Sequence, residues 1–119
     1  MARGDNSPLR RTFPVPGGPP VRLRLAGPSD RAAVRALLER RAVFVDDFEL
    51  ARLLAFDPGR RHVLAAFAPL NGQETLVGIA AIASGDDVPD VLVVDERLTG
   101  LAHVLGRVLT ERARRRSAA

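Results

Sequence analysis

The sequence predicts a single α/β domain with the element order β-α-α-β-β-β-α. Three observations carry this. Leu101, Val104, Leu105, Val108 and Leu109 fall at i, i+3, i+4, i+7 and i+8, the spacing of one helix face. VRLRLA at 21–26 alternates apolar with polar residues, as a half-buried strand does. Two apolar runs, 61–69 and 74–84, flank Asn71-Gly72, a strong hairpin signal because both residues tolerate positive φ.

Taken in order, residues 1–20 hold Pro8, Pro14, Pro16, Pro19 and Pro20 with Gly17 and Gly18. Neither the helical nor the strand period survives that spacing. The expectation is a flexible leader, with the domain spanning 21–116. After the strand at 21–26, Pro28 suits the first helical position, where no amide donor is lost. Asp30 then lies in the first turn, against the positive helix end. Ala33, Val34, Leu37 and Leu38 form the inner face of this helix, which fades near Arg41.

A second helix is expected over 46–56. Asp46 or Asp47 caps it, Leu50, Leu53 and Leu54 form its buried stripe, and Asp57-Pro58-Gly59 ends it. The hairpin strands are nearly continuous in apolar character, which points to central strands covered on both faces. Asp87-Val88-Pro89-Asp90 punctuates a turn, and Val91–Val94 reads as a short buried strand. The last helix ends in Arg112, Arg114, Arg115 and Arg116, which complement its negative end.

Composition narrows the function classes. The 119 residues are 46% hydrophobic, enough for one domain with a true core. Without cysteine there are no disulfides, thiolate metal sites or cysteine nucleophiles. No apolar run approaches the roughly 18 residues of a membrane span, and the N-terminus lacks the apolar stretch of a signal peptide. A cytoplasmic protein is expected. All 18 basic residues are arginine, and the net charge is +4. The five phenylalanines, without tyrosine or tryptophan, are a poor supply for base stacking. The arginine-rich C-terminal end therefore reads as a solvated helix end, and no nucleic-acid partner is expected. His62 and His103 have no further ligands at metal-binding spacing, so no metal is expected. Ser29 and Ser84 have no spacing that suggests a Ser-His-Asp arrangement.

The chemistry concentrates at the junction of the last strand and last helix, in RLTGLA at 97–102. A helix start leaves unpaired amides and partial positive charge, which suit a phosphate. Gly100 lets backbone approach closely. With the preceding topology, Arg97, Gly100 and Ala102 resemble the signature of the GNAT (N-acetyltransferase) superfamily: Arg or Gln, two variable residues, Gly, one variable residue, then Gly or Ala. VRLRLAGPSDRAAVRALL resembles that family's first strand and helix, and LVGIAAIA its third strand.

The resemblance implies a GNAT-like mixed sheet, truncated after the pyrophosphate-binding helix, and an acyl-CoA-dependent N-acyltransferase or its coenzyme-binding half. Acetyl-CoA or another acyl-CoA would be the cosubstrate. By resemblance, the backbone of Leu92, Val93 and Val94 holds the pantetheine arm. Arg97, Leu98, Thr99, Gly100, Leu101, Ala102 and His103 surround the pyrophosphate, with Arg107 adding charge nearby.

Acyl transfer to an amine needs a base. Among Asp86, Asp87, Asp90, Asp95 and Glu96, Asp90 is best placed, at the start of the strand leading to the loop. A solvated turn is the ordinary reading of this acidic stretch, and Asp95 and Glu96 also suit a helix start. The Asp95–Arg97 segment is about two residues shorter than the family's loop. The family's later strand and helix are not seen before Ala119, and the tyrosine that commonly protonates the leaving thiolate is missing. An alternative expectation follows, a non-catalytic GNAT-like module. It forms a homodimer or docks on a partner chain that completes the sheet and covers its open edge.

Overall fold

A computed structural model describes residues 12–55, 57, 59–98 and 100–118. The elements are β1 (Thr12–Phe13), β2 (Val21–Leu25), a 3-10 turn (Pro28–Asp30), α1 (Arg31–Arg40), α2 (Asp47–Leu54), β3 (Arg61–Leu70), β4 (Gln73–Ala83), β5 (Val91–Val94) and α3 (Leu101–Ala118). The five strands form one sheet in the order β1-β2-β3-β4-β5, antiparallel throughout rather than mixed. α3 covers one face, over Leu23, Leu64, Ala80 and Ile82. α1 and α2 cover the other, over Val63, Ala65, Ile79 and Ala81. The alternation of these residues along β3 and β4 explains their unbroken apolar reading, because both faces are buried.

Local chemistry sets the ends of the elements. Asn71 (φ 52°) and Gly72 (φ 79°) form the two-residue hairpin turn their sequence predicts. This lets β3 run on to Leu70 and β4 begin at Gln73. Asp46 caps α2 by accepting from the Glu49 amide at 2.8 Å. Pro28 does not open α1. It opens the 3-10 turn, and α1 begins three residues later, at Arg31. The Asp30 carboxylate accepts from the Gly27 amide at 2.9 Å and from the Arg24 guanidinium at 2.6 and 3.0 Å. Burial pushes the Asp30 carboxyl up, and these hydrogen bonds together with the Arg24 charge outweigh it, holding it below its usual range.

Residues 1–11 of the expected leader lie outside the described residues. The remainder packs onto the domain instead of forming an irregular arm. Thr12 pairs with Arg22 and Phe13 with Val21, adding an edge strand. The connection turns at Val15-Pro16-Gly17-Gly18, where the Gly18 amide donates to the Val15 carbonyl at 3.0 Å and Gly17 has φ 78°. This is the type II turn that Pro-Gly favours. Val15 is buried in the α3-side core.

A bulge on β4 adjoins the point where α3 comes closest to Gly78. Ala66 pairs with Gly78 and Phe67 with Leu76, so Val77 has no opposite residue. A methyl group at Gly78 would lie 2.8 Å from Leu105 Cδ1 and 3.0 Å from Leu101 Cδ2. The missing side chain is the space into which α3 settles. Gly78→Val is expected to lower unfolding free energy by about 1–3 kcal/mol through overpacking, measured by urea denaturation. Wild-type stability in this variant would contradict the close approach.

Candidate functional site

The junction between β5 and α3 is built by two successive turns. The Asp95 amide donates to the Val77 carbonyl at 2.7 Å, tying the end of β5 to the bulge. The Leu98 amide then donates to the Asp95 carbonyl, and the Leu101 amide to the Leu98 carbonyl, each at 3.0 Å. α3 therefore starts directly behind Gly100, where the sequence places it.

Asp95 organises this loop. It is only 3% exposed, and a buried carboxylate requires hydrogen-bonding partners. The Arg97 amide donates to it at 3.0 Å, and Arg97 Nε and Nη2 each at 2.9 Å. Arg40 of α1 approaches to 3.6 Å and also donates to the Leu76 carbonyl at 3.0 Å. The Arg97 side-chain hydrogen bonds lower the Asp95 carboxyl to about 2, against the upward push of burial, with the Arg97 amide and the charges of Arg97 and Arg40 adding to the lowering. The charge of Arg97 is thus engaged inside the loop.

The residues grouped by the phosphate reading differ in their exposure. Leu98 and Leu101 are fully buried core residues. Gly100 is closed by the β1–β2 connection: a methyl group there would meet Pro16 Cδ at 2.9 Å and the Pro16 carbonyl oxygen at 3.1 Å. The absent side chain at Gly100 accommodates Pro16. Gly18 sits closer still on Leu98, whose Cδ2 would lie 2.5 Å from a methyl group there. Thr99 lies outside the described residues. Ala102 is half-buried and His103 is exposed on the outer side of α3. Val93 and Val94 are half-buried, and Leu92 is 42% exposed.

Asp90 accepts two hydrogen bonds from Arg61 Nη2, at 3.1 and 3.0 Å, while its amide donates to the Ala81 carbonyl at 2.9 Å. The pair lies in a groove of about 480 Å³ between α2 and β5, lined also by Leu38, Val43, Leu53 and Val91. Asp90 is thus engaged with Arg61 at the start of β5. His62 is buried in β3, far along the chain from the junction residues. Among the described residues, no cluster of three or more His, Asp or Glu side chains is placed to hold a metal ion. No described helix is long and apolar enough to cross a membrane.

Pro16, Gly18, Arg40 and Arg61 were not among the expected site residues. Of these only Pro16 had a usable signal, the Pro-Gly turn signature at 16–17. Together these features define a three-layer α/β domain with an internally braced strand-to-helix junction. No family model, curated protein or solved structure matches the chain.

The depressed Asp95 carboxyl links stability to pH. Its folded value lies below the ordinary 3.8, so its contribution is present above about pH 4 and lost as pH falls toward 2. The contribution is on the order of 2 kcal/mol. Asp95→Asn is expected to lower stability at neutral pH by that amount and to flatten the acid limb of a stability–pH curve measured by denaturant titration. An acid limb as steep as that of the wild type would contradict this role.

Proposed function

We propose that the chain is a non-catalytic GNAT-like module that pairs through β5 with a second copy of itself. The observation that carries this reading is the open edge of β5. Among the described residues β5 has a strand on one side only, β4. Asp95 donates its amide to β4, so the antiparallel alternation turns the backbone groups of Leu92 and Val94 outward. Such an edge is a template for another strand. Its surroundings are apolar. Leu92 and Val88 are exposed beside it, and the Val43–Val45 segment lining the adjacent groove carries Phe44, 90% exposed. The closed junction also supports a binding role over a catalytic one, because Pro16 occupies the approach to Gly100 and Arg61 engages Asp90.

A second reading, an acyl-CoA-dependent N-acyltransferase, is favoured by the same outward backbone groups. They are what the GNAT resemblance assigns to the pantetheine arm of acetyl-CoA, and the groove between α2 and β5 would receive the amine. On this reading the β1–β2 connection must leave Gly100 before pyrophosphate binds.

Sedimentation velocity and thermal melting separate the two. The first reading predicts a dimer at micromolar concentration. Leu92→Lys then forfeits about 2 kcal/mol of side-chain burial and raises the dimer dissociation constant more than about tenfold, with unchanged circular dichroism. Millimolar coenzyme A leaves the melting temperature unchanged. A monomeric wild type stabilised by coenzyme A would replace the first reading with the second. Gly100→Glu is unsuitable as a probe, since any side chain there collides with Pro16 whatever the ligand.

A further inference from the structure

We infer that the outer face of α3 docks a carboxylate-rich segment of a partner protein, independently of any pairing at β5. The whole net charge of the chain resides on this helix. α3 carries five arginines and one glutamate, whereas the rest of the sequence balances thirteen arginines against thirteen acids. The two sets also differ in their use. Nine arginines outside α3 are committed to ion pairs with aspartate or glutamate. Among the described residues, Arg107, Arg114 and Arg115 join none of these pairs, and all three are exposed.

Their placement points outward. Arg107 and Arg114 are seven residues apart and share a helix face, with His103 one turn before Arg107 and a single acid, Glu111, between the two arginines. A shallow depression of about 420 Å³ runs beside them over Ala102, Gly106 and Thr110. Arg107 lies far from the C-terminal turns, so the helix dipole does not account for it.

Charge and shape together select the partner. Guanidinium forks suit carboxylates, and a floor of small uncharged residues admits side chains from another polypeptide. Single-stranded nucleic acid is disfavoured because the exposed phenylalanines, Phe44 and Phe48, lie near α2 and offer no stacking beside α3. A lipid surface is disfavoured because the exposed large apolar residues lie off this face, leaving nothing on it to insert.

The test is fluorescence anisotropy of a labelled poly-glutamate peptide titrated with the full chain at low and physiological salt. Binding is expected, weakening as salt rises. Arg107→Glu, Arg114→Glu and Arg115→Glu together are expected to weaken it at least about tenfold. A matched reversal elsewhere, Arg31→Glu, Arg52→Glu and Arg60→Glu, removes the same charge and is expected to have a much smaller effect. Should the reversed α3 fail to fold by circular dichroism, the triple Gln variant takes its place. No binding, equal loss in both variants, or tighter binding of duplex DNA or phosphatidylserine vesicles at the same ionic strength would overturn the inference.

Discussion

The contact on which the junction depends is a proline against a glycine. Pro16 lies on the bare backbone of Gly100, and Gly18 lies against Leu98 one turn earlier. The pairing of β1 with β2 sets where this tip falls. The tip in turn holds down the residues that launch α3, and α3 closes one face of the sheet. Small residues at two points, Gly78 under the helix and Gly100 at its head, let α3 approach both the sheet and the N-terminal hairpin.

Electrostatics brace the same junction from the other side. Asp95 is buried where β5 ends, and it gathers Arg97 from its own loop and Arg40 from α1. Such a carboxylate is costly to bury alone and costly to strip of its partners. It therefore ties α1 to the loop that leads into α3. Elsewhere the arginines are also matched with acids, at Arg24–Asp30, Arg41–Glu96 and Arg61–Asp90, so an arginine in a loop is not by itself a free cation for a phosphate.

Much of the fold was legible because its signals are local. Asn71-Gly72 fixes its own turn, Asp46 satisfies an amide three residues on, and the apolar stripe of α3 is a matter of spacing alone. The order of elements from β2 to α3 follows from such signals. What was not legible depends on distant partners. Nothing near Gly100 indicates that Pro16, more than eighty residues earlier, fills the space beside it. The same holds for Arg40 and Asp95, and for Arg61 and Asp90, which meet only when the strands align. The Pro-rich segment also lacks any period, so its strand and buried Val15 are invisible to pattern, although its Pro-Gly turn was readable. Strand-to-helix geometry at 94–101 was predictable from the residues; the atoms that would fill the approach to it were not.

The consequence for function is that a glycine suited to phosphate binding serves packing in this chain, while among the described residues the open surfaces include the β5 edge, the groove between α2 and β5 and the outer side of α3. The contact itself is accessible to a direct measurement. Nuclear Overhauser spectroscopy on the isotopically labelled protein should give a strong cross-peak between Pro16 Hδ and Gly100 Hα, unchanged by added coenzyme A. If that cross-peak is missing, or vanishes when coenzyme A is added, the head of α3 is an open seat and the account of the junction as internally closed is wrong.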